Sequence, residues 1–571
     1  MTFLSSLNAV TGTLMPHLML APILLPMLTA AMMLLFDEKY QRTKLLLNLV
    51  STLLGLGVAL ALLAWADHEP LRDMDVYLAG NWRAPFGIVL ALDRLSALML
   101  VLTSTVALAA ALFSTARWHR AGIHFHPLFQ LQLMGLCGAF LTGDLFNLFV
   151  FFEIMLAASY GLLLHGSGRV RVQSGLHFIA INLAASSLFL IGASMLYGIT
   201  GTLNMANLAQ LVAQIADADR GLLHAAAAIL ATAFLIKAAV WPLNFWLVPA
   251  YSAATAPVGA LFALMTKVGI YVILRLWLLL FGAHAGASAH FGSLWLVGGG
   301  LVTIAFGAIG MMGSQRLGYL AGYAAIVSSG TLLAATGLGQ VNLTAGLLYY
   351  LPSSTFAISA LFLLTDLIDR WRNDGASLAP YDNDDAPFLT AELVPTVGMN
   401  LDDEQEVLTG RIIPAAVALL GLAFLVCTLV IAGLPPLSGF VGKFAMLTAL
   451  LNPLGLGVPS EQPLGNAGWL LLTLLIGSGL LALIALTRAG ILHFWATYDR
   501  AAPQLRVMEG LPIALLLGVC ALLTLQAGPV MRYMQATAET LHAPSRYVQA
   551  VMSARPVSRP AAQSVEPQET P

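Results

Sequence analysis

Apolar residues run along this chain in blocks of about twenty, the length a helix needs to cross the hydrocarbon layer, with short polar connectors between them. Fourteen such blocks are expected, near 17–36, 45–66, 92–115, 127–143, 145–165, 174–199, 222–249, 255–282, 293–313, 317–337, 343–368, 412–450, 468–496 and 511–531. The twelfth is too long for one straight helix. Gly433, Pro435 and Pro436 divide it, because proline lacks a backbone donor and clashes with the preceding turn. Pro242, just after Trp241, breaks the seventh in the same way. Broken helices five spans apart fit two inverted five-helix repeats, spans 4–8 and 9–13, each with one discontinuous helix. The expected fold is therefore an all-α polytopic membrane protein of about 14 transmembrane helices.

Composition agrees: 59% of the residues are hydrophobic and 9% charged, with a mean hydropathy of +0.84. Charge is informative through its placement. If the first loop is cytoplasmic, odd-numbered loops hold Lys39, Arg42, Lys44, Arg117, Arg169, Arg171, Arg316, Arg370 and Arg506 among others, while even-numbered loops hold Arg72, Arg83 and Arg220. Positive residues favour the cytoplasmic side, so both termini are expected outside it, with Arg532, Arg546, Arg555 and Arg559 of the C-terminal tail as a dissent. Along the chain this gives spans 1–3 (residues 1–126), a first repeat (127–282), a second repeat (283–496), the last span (497–542) and a disordered tail (543–571). Residues 373–410 hold nine carboxylates and neither lysine nor arginine, and read as a solvated cytoplasmic loop. Cys137, Cys427 and Cys520 lie in separate apolar blocks, and no CxxC or histidine cluster suggests a metal site. No cofactor, metal or nucleic acid is expected.

Four charges stand near the middle of apolar blocks: Glu153, Lys237, Lys267 and Lys443. A charge there costs about 2.5–3.5 kcal/mol on insertion scales and marks ion or proton paths. Lysine suits such a path because it shifts readily when desolvated, whereas arginine keeps its proton. Glu153 and Lys237 are expected to pair, since pairing keeps both charged, and withdrawal of Lys237 would make the pair a switch. The breaks at Pro242 and at Pro435 and Pro436 free backbone groups beside Lys237 and Lys443. A purely structural ion pair is the alternative reading. Asp93, Asp144 and His224 are secondary polar candidates, the two carboxylates standing near helix ends where the interface would solvate them. Arg275, two turns after Lys267 on the same helix face, remains open between a structural and a functional role.

The stretches around these residues resemble a known family. TGDLFNLFVFFEIMLAASY around Glu153, FLIKAAVWPLNFWLVPAYSAATAPVGALFALMTKVGIY around Lys237 and Lys267, AGLPPLSGFVGKFAML around Lys443, and AGNWRAPFGIVLALDRLSALM before the third span are similar to the antiporter-like subunits of respiratory complex I, membrane-bound hydrogenases and Mrp-type cation/proton antiporters. GNWRAPFGI and the ASYG after FFEIM resemble most the D-type subunits of the Mrp antiporters. The resemblance implies proton translocation through Glu153, Lys237, Lys267 and Lys443 in the cell (inner) membrane. It also implies exchange for sodium or another monovalent cation, and assembly with the large A-type subunit and small subunits. A pumping subunit of a quinone-reducing or hydrogen-evolving complex is the alternative within the family, and a purely structural membrane subunit the alternative outside it. One departure is local. Many relatives carry histidine or lysine in the eleventh span, where this chain reads YYLPSSTFAISALFLL. The link from Lys267 to Lys443 is therefore expected to use water or the hydroxyls of Ser328, Ser329, Thr331 and Thr355.

Overall fold

The computed structural model describes residues 17–68, 74–118, 122, 124–166, 168–376, 414–453, 455, 464–495 and 505–556. Helices α1 (Ala21–Leu34), α2 (Gln41–His68), α3 (Arg94–Ser114), α4 (Phe125–Leu141), α5 (Leu145–Leu163) and α6 (Arg169–Thr200) open the bundle. They are followed by α7 (Met205–Val212), α8 (Asp217–Lys237), α9 (Leu247–Ala253), α10 (Ala256–Leu280), α11 (Ser293–Gly313), α12 (Leu317–Leu338) and α13 (Val341–Ala376). The rest are α14 (Ala415–Ala432), α15 (Ser438–Leu451), α16 (Asn466–Gly490), α17 (Val507–Leu525), α18 (Ala527–Leu541) and α19 (Pro544–Ser553). Among the described residues twelve helices are long and apolar enough to cross a membrane, and α1, α4 and α15 are shorter apolar helices.

The bundle is layered around α10 and α13. Every residue of α10 is buried, and so is the most apolar stretch of α13. The outer helices instead leave large apolar side chains such as Leu54, Leu176, Ile309 and Leu480 exposed, as a lipid-facing surface requires. Helix starts are fixed by short polar side chains that accept from the first free backbone N–H groups. Asp93 Oδ1 takes Ser96 N at 2.8 Å, and Asp144 Oδ1 takes Asn147 N at 2.9 Å. Close packing of α10 against the end of α8 depends on Gly269, where a Cβ would come within 2.8 Å of Ala238 N.

Both expected helix breaks are present. Helix α8 ends at Lys237, the chain passes Ala239 at φ 55°, and α9 begins only at Leu247. Helix α14 stops at Gly433, whose φ of 78° places it in the left-handed region, and α15 resumes at Ser438. Three features differ from the expectation. Residues Met74–Leu78 (β1) and Val89–Asp93 (β2) form an antiparallel hairpin, Met74 opposite Asp93 and Leu78 opposite Val89. All five β2 residues are buried, so its apolar sequence merges with the block of the third span and hides the strand. The expected disordered tail from residue 543 instead begins with α19, which anchors itself through Tyr547 and Val551, four residues apart on one face. Third, α13 extends to Ala376, into the acidic loop. The remainder of that loop, 377–410, and residues 557–571 lie outside the described residues.

Candidate functional site

Lys267 is the best enclosed of the four charges. It is 0% exposed on the fully buried α10, and its Nζ donates to Ser328 Oγ on α12 at 2.8 Å. The Ser328 and Ser354 hydroxyls are 3.0 Å apart, and Ser354 Oγ donates to Leu351 O. Tyr350 adds its phenol beside Ser328, Thr331 and Ser354. On the far side of α13, the hydroxyls of Ser353 and Ser438 are 2.8 Å apart, which ties α13 to the first turn of α15. Ser328–Ser354 and Ser353–Ser438 are thus two separate pairs of hydroxyls, groups that both donate and accept, on neighbouring positions of α13.

Lys443, on α15, folds back to the break. Its Nζ donates to Ala432 O at 2.9 Å and Ile431 O at 3.3 Å, the last carbonyls of α14. The orphan carbonyls of a helix C-terminus carry the negative end of its dipole, so the half-helix acts as the counter-ion. The close approach requires glycine on both sides: a Cβ at Gly433 would lie 2.5 Å from Lys443 Cδ, and one at Gly479 3.2 Å from Nζ.

Lys237 is 5% exposed, and its Nζ has no hydrogen-bond partner; it faces the Phe152 ring at 5.0 Å from the centroid. Glu153, the next residue on α5, accepts a short hydrogen bond from Ser186 Oγ. The expected Glu153–Lys237 pair is not in direct hydrogen-bonded contact: the serine of α6 holds the carboxylate, and the phenylalanine ring takes the ammonium. Beyond the α8 end, Trp241 N donates to Thr303 Oγ1 of α11 at 3.0 Å, which fixes the broken segment at Pro242 to the second half of the bundle.

The secondary candidates separate. Ser329 and Thr331 are buried with no partner for their hydroxyls, and Thr355 donates to its own helix at Leu351 O. His224 bonds Ser288 at 3.1 Å and stacks on Phe291, away from the lysines. Asp144 caps α5; burial raises its carboxyl pKa, and backbone N–H groups of Asn147 and Phe146 oppose the rise. Asp93 is 8% exposed rather than solvated at an interface, because Arg275 Nη2 clamps both its oxygens at 2.7 and 2.9 Å. Ser353 lies in the eleventh-span stretch that departs from the relatives, whereas nothing in the sequence singles out Ser186, Ser354, Tyr350 or Ser438. Lone hydroxyls in apolar blocks carry no signal until the helix faces are known.

Residues 142–383 match the family model described as NADH:quinone oxidoreductase/Mrp antiporter, TM. A protein of Rhizobium meliloti (strain 1021), named as the D-type subunit of a probable K(+)/H(+) antiporter, is 54% identical over 94% of this chain and 98% of its own length. The chain belongs to the family of D-type antiporter subunits. The D-type subunit of a Na(+)/H(+) antiporter from Alkalihalophilus pseudofirmus is a further relative, 31% identical over 94% of this chain and all of its own. Among solved structures, a chain of the Mrp complex from Dietzia sp. DQ12-45-1b superposes with a TM-score of 0.75 at 25% identity, covering 95% of this chain and 100% of that one. A chain of respiratory complex I from Thermus thermophilus shares the fold at a TM-score of 0.69 and 21% identity, covering 92% and 99%.

Proposed function

We propose that this chain is the proton-translocating subunit of a multisubunit monovalent cation/proton antiporter in the cell membrane. Protons pass along Glu153, Lys237, Lys267 and Lys443. The observation that carries this reading is Lys267: a lysine enclosed on all sides, on a helix buried along its whole length, bonded to a serine hydroxyl instead of a carboxylate. A lysine kept only for stability would be expected beside a carboxylate, since an unpaired buried charge costs several kcal/mol. Lys267 meets the Ser328–Ser354 hydroxyl pair, a second pair, Ser353–Ser438, stands at the first turn of α15, and Lys443 meets a helix end. Neither lysine donates to a carboxylate, so neither leaves a full buried negative charge behind when its proton departs. The open arrangement at Glu153 and Lys237 supports a pair that forms and separates during the cycle.

The topology follows from the same reading. With α1 and α4 counted as spans, and α14 and α15 as the halves of one broken span, the helices give fourteen crossings. Spans 4–8 and 9–13 then form the two inverted repeats, each interrupted beside a lysine. The relatives' names support potassium or sodium as the exchanged cation and assembly with the other antiporter subunits. The function is transport by a hetero-oligomer.

The test uses inverted vesicles containing this chain with its co-encoded subunits and a preformed pH gradient. Addition of K+ or Na+ should dissipate the gradient in wild type, and Glu153→Gln and Lys237→Ala should abolish the response at matched assembly. Cation-dependent exchange surviving in both assembled variants would refute the relay. Proton pumping driven by NADH or ferredoxin oxidation, with no cation response, would replace antiport by a redox-coupled role.

A further inference from the structure

Lys267, Tyr271 and Arg275 stand at successive i, i+4 positions of α10, on one face, about 12 Å from first to last at the helical rise. That face leads toward the end of the bundle that carries the β1–β2 hairpin and the helices α18 and α19. The loop charges assign this end to the outside. A proton leaving Lys267 along this face would reach that end without crossing to Lys443.

The groups on this route differ from the hydroxyl array on the other side of Lys267. Tyr271 Oη donates to Phe140 O at 2.7 Å and accepts from Arg275 Nε at 3.0 Å. Arg275 Nη2 is held by both Asp93 oxygens and by Ser96 Oγ at 3.1 Å, and Asp93 also takes the Ser96 N–H. Arg275 is 5% exposed. Proton transfer needs groups that accept and donate in turn, but arginine has no acceptor and keeps its proton. Above the pair lies the Tyr547 ring of α19, 5.5 Å from the guanidinium carbon to the ring centroid. The Tyr547 hydroxyl is buried without a partner. It lines a cavity of about 30 Å³ shared with Asp93, Arg275, Leu279 and Leu541, room for a water or so.

We propose that Asp93, Arg275, Tyr271 and Tyr547 form an insulating plug at the outward end of the α10 face. The plug denies the proton on Lys267 the short exit, so that transfer continues across the bundle and stays coupled to cation exchange. The inference rests on Lys267 as a proton carrier, but its readout is independent of antiport: passive proton leak in the absence of K+ and Na+.

The experiment measures that leak in proteoliposomes of the assembled complex under an imposed pH gradient. Tyr547→Ala removes the roof and leaves the charges, whereas the double variant Asp93→Asn with Arg275→Gln removes the charges without baring either one. Each should raise the cation-independent leak several-fold, Tyr547→Phe should leave it at the wild-type level, and Lys267→Ala added to Tyr547→Ala should suppress the leak. An unchanged leak in assembled Tyr547→Ala complex would overturn the plug, and so would cation-dependent exchange lost without any leak, because that result makes the route a conductor. A leak that survives Lys267→Ala would show that the opened path bypasses the lysine and would overturn its assignment. Failure of the relay itself is read separately, as normal exchange by Lys237→Ala.

Discussion

Ser328→Ala is the smallest change that reaches the centre of the relay. It removes the hydroxyl to which Lys267 Nζ donates at 2.8 Å and takes from Ser354 its 3.0 Å neighbour. Both serines are about 1–3% exposed and Lys267 is fully enclosed, so bulk solvent does not replace the lost contact. A hydrogen bond to a charged group contributes about 1.5–3 kcal/mol. At about 1.36 kcal/mol per factor of ten, the proton affinity of the lysine falls roughly 10- to 150-fold, and the exchange rate falls by up to the same factor. The assay is K+- or Na+-dependent collapse of a pH gradient, normalised to assembled complex. Ser328→Thr keeps a hydroxyl at the same atom and should recover most of the rate. Wild-type exchange by assembled Ser328→Ala complex would refute the claim that the hydroxyl array carries the proton.

Two further expectations follow from local geometry. Gly433→Ala should displace Lys443 and depress exchange strongly, because its Cβ would sit 2.5 Å from Lys443 Cδ at a φ of +78°; Gly339→Ala, at a φ of +63° with nothing within 4 Å, carries the same backbone cost of about 1–2 kcal/mol and should exchange normally. Equal exchange by the two variants, in the same vesicle assay, would contradict the account of Lys443. Arg370→Ala should lower the yield and thermal stability of the complex, since it removes the cation bonded at 2.7 Å to Glu509, whose side chain is 3% exposed, and leaves that carboxylate, among the described residues, only the Arg506 N–H; breaking a buried pair costs up to about 3–5 kcal/mol, and an unchanged melting profile would count against it.

What the sequence made legible is what neighbouring residues determine together. Lys443 stands within a few turns of Pro435 and Pro436, so a broken helix beside a lysine is written in one short stretch, and the structure closes it through Ala432 O. Lys237 and Pro242 are likewise local, and α8 ends at that lysine. The hydroxyl bridge was half legible. Ser328, Ser329 and Thr331 all lay in the right span, but successive helical positions point about 100° apart, and only the packing of α10 on α12 selects Ser328. On α13 the same effect brings Ser354 to Ser328, while both Ser354 and Thr355 also donate to Leu351 O, as serine and threonine side chains in helices readily do. Contacts between distant segments were invisible. Asp93 and Arg275 are 182 residues apart, and nothing near either announces the other. The β1–β2 hairpin was hidden because β2 is as apolar as the span that follows. Helix α19 was hidden because its two anchors, Tyr547 and Val551, sit in a polar, arginine-containing stretch.

The central claim is that Lys267 carries a proton and does more than fill a hole in the bundle. The most direct measurement compares K+- and Na+-dependent proton exchange by the assembled complex carrying Lys267, Lys267→Ala or Lys267→Arg in vesicles of matched content. The account predicts that both variants assemble and both fail, alanine because it holds no proton and arginine because it does not release one. Wild-type exchange by assembled Lys267→Arg complex would contradict the account, since a fixed charge would then suffice where proton transfer is claimed.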